Sequence, residues 1–579
     1  MGVSVKRSFR RRLAAAVVVM VTAVGLLPAA GASASNTRAV TADDLTSRGP
    51  AAIKTLIEPA AEASETISGV VTKPGVYADD AEVSAVAFAY DGTTWAAAAG
   101  ADVQSDGSYC IALPGPGTYR IGFFDAALVY KDIYYLNASS VTSATDVVVA
   151  ANEKKTGINQ TLAENPVNVV EGRVSFVGAS PAPITVELLK WEIIDGEGMW
   201  TPVAIRSSKA DGTYRVHCPA AGVYRLGFVD LDDVFGTVYY PNAATVQAAK
   251  DVTVTVGVPV AGIDVTMTAL PSNRVQGANR FETAVELSKS AYEDGFGGVA
   301  VLVNGMNFPD SLAAGPLAYG LEGPMLLTSP SGMPEATRAE IERLMPIEVV
   351  IVGGPAAVPY DQEIELRDMG VPVVRRVMGR DRYETAAQVA QELVNRGLAF
   401  SAGTGAFIAN GQNYPDALAA APVASAAGWP ILFVRPDGVP ASTQKFFDKN
   451  GIDTLYVAGG TGAVSDQSLP DFSGDVERFA GQNRYDTAAR IAAFAIDEFG
   501  FNRRIVGLCS GRGFADAMAA GPIYGSRRRA ILLTEPSALS LHTQSFLAGR
   551  KGVLARIVTI GGPGAVSDAA FNAAVQAIQ

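Results

Sequence analysis

The sequence predicts a multi-domain protein in which two all-β sandwich domains precede three Rossmann-like α/β repeats. Three observations support this fold class. The chain has 579 residues, which is more than a single hydrophobic core can organise. One segment occurs twice at an offset of 105 residues, and another occurs three times at an offset of 102 residues. Short alternating strands give way near residue 273 to strands that alternate with helices.

The first 34 residues have the layout of a secretory signal peptide. Five cations precede an apolar stretch at 13–27, and Ala32-Ser33-Ala34 supplies an A-x-A cleavage site. We expect export by the general secretory route, because a lysine stands where a twin-arginine signal has its first arginine. We expect no membrane-spanning segment once this signal is removed. Residues 35–64 have no periodicity and predict a disordered leader.

Composition excludes several classes of function. The formal net charge of −12 argues against a nucleic-acid partner, because phosphate binding needs a basic face. We expect Cys110, Cys218 and Cys509 to be isolated buried thiols and not a disulfide framework. His217 and His542 lack the spacing of a zinc hydrolase. The sequence therefore predicts neither a metal site nor a cofactor.

Residues 65–165 and 166–272 are predicted to form the two β-sandwiches. The segment "DGSYCIALPGPGTYRIGFFD" at 106–125 returns as "DGTYRVHCPAAGVYRLGFVD" at 211–230. Asp-Gly and Pro-Gly pairs separate short runs in which apolar and polar residues alternate, as in strands joined by tight turns. These units resemble the carboxypeptidase-regulatory-like group of β-sandwiches. That resemblance implies spacer or adhesion modules.

The α/β repeats are predicted at 273–375, 376–477 and 478–579. In the first of them, continuous apolar strands such as "GVAVLVNG" and "EVVIVGG" alternate with helical segments. Strands of this kind are typical of a mainly parallel sheet that helices cover on both faces.

Three motifs recur in all three α/β repeats. An R-x-x-G-x-x-R signature supplies two arginines per repeat: Arg274 and Arg280, Arg376 and Arg382, Arg478 and Arg484. The residue before the second arginine suits a helix start, and it is Asn279, Asp381 or Asn483. A small-residue segment that follows the next strand carries one aspartate per repeat: Asp310, Asp416 and Asp516. A Gly-Gly pair follows a later strand, as in "VGGPAAV", "AGGTGAV" and "IGGPGAV".

The arginine pairs are candidate anion-binding groups. Two guanidinium groups six residues apart around a glycine turn can converge on one phosphate or carboxylate. The alternative is that they pair internally with the repeated aspartates and hold each repeat together, and the sequence leaves both open. The aspartates lack a repeated catalytic partner, so we expect them to cap the small-residue helices and orient an arginine. The Gly-Gly pairs lack a full dinucleotide fingerprint and predict structural turns.

Taken together, these motifs resemble the cell-wall-binding repeat type 2 family of Gram-positive surface proteins. The resemblance covers 274–579. It implies that the three repeats pack in a pseudo-threefold arrangement and attach non-covalently to an anionic secondary cell-wall polymer. On this hypothesis the six arginines bind the polymer and the three aspartates support them. The second repeat has "PILFV" where the others have "LLT", so the three sites need not bind equally.

We therefore predict a secreted, non-enzymatic cell-surface protein whose sandwiches project from a wall-bound anchor. One alternative is a peptidoglycan-acting enzyme, an N-acetylmuramoyl-L-alanine amidase. Another is an adhesin whose sandwiches bind external glycans. Peptidoglycan itself is an alternative partner for the repeats.

Overall fold

The computed structural model describes residues 64–579 except Asp195, Phe308 and Tyr414. The predicted signal peptide and almost all of the predicted leader lie outside the described residues. The chain divides into two compact units, one ending at Thr268 and the other beginning at Ala269. The short segment Asp232–Val234 belongs to the second unit.

The first β module contains nine strands in two sheets. Strands β3, β2, β5 and β6 pair in that order with β7 added to β5, and β1 pairs with β4, β8 and β9. Buried side chains from both sheets, such as Ile67 and Phe123, belong to one apolar core. The strands are β1 (Thr66–Thr72), β2 (Val83–Tyr90), β3 (Trp95–Asp102), β4 (Ser108–Ala112), β5 (Gly117–Asp125), β6 (Ile133–Tyr134), β7 (Val147–Val149), β8 (Lys154–Lys155) and β9 (Gln160–Thr161).

The second β module repeats this plan. Strands β12, β11, β14 and β15 pair in that order with β16 added to β14, and β13, β10 and β17 form the other sheet. The strands are β10 (Val169–Val177), β11 (Thr185–Ile194), β12 (Glu197–Ser207), β13 (Thr213–His217), β14 (Gly222–Val229), β15 (Val238–Tyr239), β16 (Val252–Val254) and β17 (Val265–Thr268).

The three cysteines are free thiols, as expected, but only two of them are buried. Cys218 and Cys509 are buried, whereas Cys110 is exposed. The expectation of a buried Cys110 was wrong. Its neighbours Tyr109 and Ile111 on β4 are buried, and the alternation of a strand turns the cysteine between them to the opposite face.

The second unit contains twelve strands and eleven α-helices among its described residues. The first repeat has β18 (Asn273–Val275), α1 (Arg280–Lys289), β19 (Val299–Asn304), α2 (Pro309–Gly320), β20 (Met325–Thr328), α3 (Glu335–Leu344), β21 (Glu348–Val352) and α4 (Tyr360–Asp368). The second has β22 (Val373–Val377), α5 (Arg382–Asn395), β23 (Gly405–Asn410), α6 (Pro415–Ala427), β24 (Ile431–Val434), α7 (Ala441–Asn450) and β25 (Thr454–Ala458). The third has β26 (Asp475–Phe479), α8 (Arg484–Asp497), β27 (Ile505–Ser510), α9 (Ala515–Ser526), β28 (Ile531–Thr534), α10 (Leu541–Ala548), β29 (Arg556–Ile560) and α11 (Asp568–Ile578).

Each repeat contributes three strands to its own parallel sheet and takes the fourth from a neighbour. The orders are β20-β19-β21-β22, β24-β23-β25-β26 and β28-β27-β29-β18. The strand that begins the first repeat thus completes the sheet of the third, with Asn273 to Val275 paired in register with Val558 to Ile560. The three repeats are therefore linked in a ring, in which each sheet is completed by the first strand of the next repeat.

The three small-residue helices form the centre of this unit. Helices α2, α6 and α9 all contact one another. Almost every described residue of α6 is buried, which fits a helix that is apolar on all sides. Gly521 on α9 lies against Ala421 on α6, and Gly315 on α2 lies against Ala421 and Ser425. Small side chains therefore let three helices from three repeats approach closely.

Arg274 fastens the closing strand, and its removal should destabilise the α/β unit. Its guanidinium donates to the Gly561 carbonyl at 2.8 Å and pairs with Asp568 at 3.1 Å. Only 11% of the side chain is exposed. We expect Arg274→Ala to lower the free energy of unfolding by about 1–3 kcal/mol, because a carbonyl loses its buried donor. Urea unfolding measures this, with the exposed Arg367→Ala as control; equal stability of the two variants would contradict the role.

None of the helices in the described part of the chain combines the length and apolar character needed to span a bilayer.

Candidate functional site

The repeated motifs meet at the carboxyl ends of the parallel strands. In the first repeat, the chain leaves β19 through α2 to β20 on one side and returns through α3 to β21 on the other. The crevice between β19 and β21 is therefore a topological switch point, the place where open α/β sheets bind ligands. Asp310 follows β19, and the Gly-Gly turn follows β21. The other two repeats have the same arrangement.

The arginine signature forms a capped helix start, as its sequence predicted. The side chain of Asn279 accepts hydrogen bonds from the backbone N–H groups of Phe281 and Glu282, and Asp381 and Asn483 do the same for α5 and α8. The glycine of the signature is required by space. A Cβ on Gly277 would meet the backbone of Glu282 at 2.5 Å, and Gly379 is equally confined.

The first arginine of each signature donates hydrogen bonds to the Gly-Gly turn of the preceding repeat, and for Arg274 the preceding repeat is the third. Arg376 donates to the carbonyls of Gly353 and Val358, both at 2.9 Å, and pairs with Glu363 at 3.1 Å. Arg478 makes the same two kinds of carbonyl contact and pairs with Asp466. Together with Arg274, these side chains are only 8–18% exposed.

The second arginine of each signature lies at the strand ends of its own repeat. Arg280 donates to the carbonyl of Gly305 at 2.8 Å, Arg382 to that of Gly411 at 2.7 Å and Arg484 to that of Gly511 at 2.7 Å. All three side chains are half-buried. The two arginines of one signature thus bond to different carbonyls.

Each aspartate faces the signature of the following repeat. Burial raises the pKa of Asp310, while a hydrogen bond from Thr385 and the charge of Arg382 act in the opposite direction. Burial likewise raises the pKa of Asp416 against Arg484 and Thr487, and that of Asp516 against Arg280 and Thr283. The third of these pairs joins the last repeat to the first.

We name the three crevices the first junction (Asp310 with Arg382), the second junction (Asp416 with Arg484) and the third junction (Asp516 with Arg280).

The expectation that the aspartates cap the small-residue helices was wrong. Asp310, Asp416 and Asp516 lie within the first turn of α2, α6 and α9, and not in front of it. An acidic side chain there still complements the positive end of the helix dipole. The position also brings each carboxylate against the first glycine of the Gly-Gly turn, where a Cβ on Gly353 would lie 2.9 Å from Asp310 Oδ2.

The first glycine of each Gly-Gly turn is required by backbone conformation as well as by space. Gly353, Gly459 and Gly561 have φ values of 117°, 116° and 101°, in the region that favours glycine. The prediction of structural turns is confirmed at these positions.

Sequence reasoning missed the threonine of the signature. Thr283, Thr385 and Thr487 are buried, and their hydroxyl groups accept from the signature glycines Gly277, Gly379 and Gly481 at 3.1–3.2 Å. The recurrence of "TA" after the second arginine was the available signal. Each junction therefore combines a guanidinium, a hydroxyl and a carboxylate within one crevice.

No group of three or more His, Cys, Asp or Glu side chains is arranged to hold a metal ion within the part of the chain that the structure describes.

Comparison with known proteins follows the same division of the chain. Residues 274–363, 376–469 and 478–571 match the family described as Cell wall binding domain 2. The chain is 31% identical over 311 residues to the N-acetylmuramoyl-L-alanine amidase LytC of Bacillus subtilis (strain 168), a match that covers 53% of this chain and 59% of the amidase. It is 27% identical over 276 residues to the amidase enhancer of the same strain, covering 47% of this chain and 36% of that protein. The chain thus matches less than two-thirds of either relative.

Two solved structures are similar to a larger share of this chain than either of these relatives. Cwp6 from Clostridium difficile has a TM-score of 0.49 at 20% identity, covering 72% of this chain and 68% of that chain. Cwp8 from Clostridium difficile has a TM-score of 0.46 at 20% identity, covering 79% and 78%.

The family match coincides with the three repeats that exchange strands and form the junctions. The three repeats between residues 274 and 571 therefore belong to the cell wall binding domain 2 family.

Proposed function

We propose that this chain is a secreted cell-surface protein that its three repeats hold non-covalently to an anionic secondary cell-wall polymer. The observation that carries the proposal is the junction crevice, which occurs three times at the switch point of a parallel sheet. Each crevice sets a half-buried arginine beside an aspartate of the preceding repeat. The six arginines are the proposed polymer-binding residues, and Asp310, Asp416 and Asp516 support them.

The two sets of arginines have different parts in this proposal. Arg280, Arg382 and Arg484 contact the polymer directly, because each lies at the strand ends where a ligand can approach. Arg274, Arg376 and Arg478 add positive charge and fix the Gly-Gly turns that form one wall of the crevice. Guanidinium groups suit this use because their planar donor edges match phosphate and carboxylate oxygens.

The negative charge of the whole chain is compatible with an anionic partner. Exposed charges are screened over about 8 Å at physiological salt, so a local group of arginines outweighs the distant carboxylates. Three junctions on one unit can also engage one polymer together, and linked sites bind more tightly than any one of them alone. We propose that the three repeats are related by a pseudo-threefold axis that runs between the helices α2, α6 and α9.

The two β modules are proposed to be carboxypeptidase-regulatory-like sandwiches that act as spacer or adhesion arms. An adhesin that binds external glycans through these arms is compatible with anchoring by the repeats. We propose no enzymatic role, because the family assigned is a binding domain and the similarity to the amidase covers 59% of that protein.

Sedimentation with purified cell walls tests the proposal. We expect the full chain to co-sediment with native walls of the bacterium that produces it, and to lose binding when the anionic polymers are extracted with hydrofluoric acid. Rising salt should weaken the binding, since charged contacts are screened. Binding that survives extraction would replace the polymer with peptidoglycan as the partner. Absence of binding to native walls would contradict the anchor.

A further inference from the structure

The three repeats differ at two positions next to the strand ends. The strands β20, β24 and β28 are each followed by one variable residue and then a proline. The variable residues are Ser329, Arg435 and Glu535. The residue after the glycine whose carbonyl accepts from the second arginine also varies: it is Met306, Gln412 or Arg512. The net charge of these two positions is therefore zero, plus one and zero in the three repeats.

In the third repeat the extra arginine is neutralised within the protein. Arg512 donates to both carboxylate oxygens of Glu535, at 3.0 and 2.9 Å. This pair lowers the pKa of Glu535, so the carboxylate is charged over the physiological range. A bidentate pair of this kind occupies the donors that an anionic ligand would need.

In the second repeat the extra arginine keeps its hydrogen-bonding capacity. The guanidinium of Arg435 lies 4.8 Å from the ring centroid of Tyr383. The side chain is 49% exposed, and Asp381 is 3.6 Å away, beyond hydrogen-bond distance. Asp381 accepts two backbone N–H bonds on Oδ1 as the cap of α5, and its other oxygen, Oδ2, is the one that lies 3.6 Å from Arg435. A half-exposed pair at this distance contributes little, so the aspartate does not neutralise Arg435 as Glu535 neutralises Arg512.

Arg435 lies next to the first junction, and Tyr383 and Gly411 connect it to Arg382. Arg382 donates to the Gly411 carbonyl, and a Cβ on Gly411 would meet the Tyr383 ring at 2.5 Å. Tyr383 in turn lies beneath Arg435. One tyrosine thus separates two arginines that belong to the same crevice. An aromatic ring supports a guanidinium from below and leaves its edge donors for an anion.

We propose that Arg435 makes the first junction the principal site for the anionic groups of the polymer, and that the second and third junctions bind them more weakly. This inference rests on the proposed function. The ligand class is a glycan that carries phosphate or carboxylate groups, held by Arg382 and Arg435 together. Arg435 gives the first junction an additional arginine that, among the described residues, no carboxylate pairs with in bidentate fashion, unlike Arg512 at the second junction.

Substitutions in the full chain test this inference, with native cell walls as the probe. Arg435→Gln should weaken binding about tenfold, the loss of one charge-assisted contact. Arg375→Gln removes the same charge from a 53% exposed side chain on β22 and should change binding less than about twofold. Glu535→Gln should strengthen binding about threefold, because it frees Arg512 for the ligand. Arg512→Gln combined with Glu535→Gln should restore the original affinity.

The outcomes separate this inference from the anchor proposal. If the original chain binds native walls but Arg435→Gln behaves like Arg375→Gln, the anchor stands and the principal site is wrong. If Glu535→Gln and its double variant bind alike, the neutralisation argument is wrong. If the original chain does not bind native walls at all, both proposals are overturned. Arg435 is exposed enough that its loss should leave the urea midpoint unchanged, which serves as the folding check.

Discussion

Replacing Arg280, Arg382 and Arg484 together by glutamine should weaken the binding of the full chain to native cell walls by about 100-fold or more. Each of these arginines lies at the strand ends of one junction. A charge-assisted hydrogen bond contributes about 1.5–3 kcal/mol, and tenfold in affinity corresponds to about 1.4 kcal/mol. Loss at all three junctions also removes the gain from linked sites. Quantitative sedimentation against a series of wall concentrations measures the change.

A matched triple variant separates local chemistry from net charge. Lys289, Arg375 and Arg490 are each 48–55% exposed, and their carboxylate partners are not those of the six signature arginines. Their replacement by glutamine removes the same three charges and should alter binding less than about threefold. Equal losses in the two triple variants would show that overall charge, and not the junctions, governs binding. Far-ultraviolet circular dichroism and urea unfolding confirm that each variant is folded.

The second large effect is expected at the centre of the α/β unit, where Gly525→Val should lower the free energy of unfolding by about 3 kcal/mol or more. A Cβ at Gly525 would lie 2.7 Å from the Cβ of Ser425 and 2.9 Å from the Pro422 carbonyl oxygen. A larger, β-branched side chain must push α9 away from α6, and overpacking of this kind is costly. Because α2 contacts both helices, the separation affects all three repeats.

Gly564→Val is the control for this substitution. Gly564 lies in the Gly-Gly segment of the third repeat, and a Cβ there has nothing within 4 Å. We expect the free energy of unfolding of the Gly564→Val variant to remain within about 0.5 kcal/mol of that of the original chain. Urea unfolding followed by tryptophan fluorescence and circular dichroism measures both variants. If Gly525→Val unfolds at the same urea concentration as Gly564→Val, the three helices do not depend on close approach for stability.

The sequence by itself determined the kinds of local structure. Periodicity of two marked the β modules, and apolar strands between helices marked the parallel sheets. The signature R-x-x-G-x-x-R placed a capped helix start after Asn279, Asp381 and Asn483, and all three caps are present. These features depend on neighbours within a few residues. Local hydrogen bonding and steric limits are therefore enough to predict them.

The tertiary structure decided which repeat each motif serves. Arg376 lies in the second repeat of the sequence but holds the Gly-Gly turn of the first, and Arg274 does the same for the third. Strand exchange produces this offset, and strand pairing depends on contacts between residues that are distant in sequence. The sequence hypothesis treated both arginines of a signature alike. Only the fold separates those committed to carbonyls of the preceding turn from those at the strand ends of their own repeat.

The differences between the junctions also depended on the fold. The sequence shows "PILFV" in the second repeat where the others have "LLT", which suggested that the three sites need not bind equally but did not identify the residues responsible. The fold places Arg435 above Tyr383 and pairs Arg512 with Glu535. The physical reason is that a side chain's effect on a ligand depends on its nearest partners in space. Composition and spacing specify the repeated parts of this protein, and packing determines which of their charges remain available.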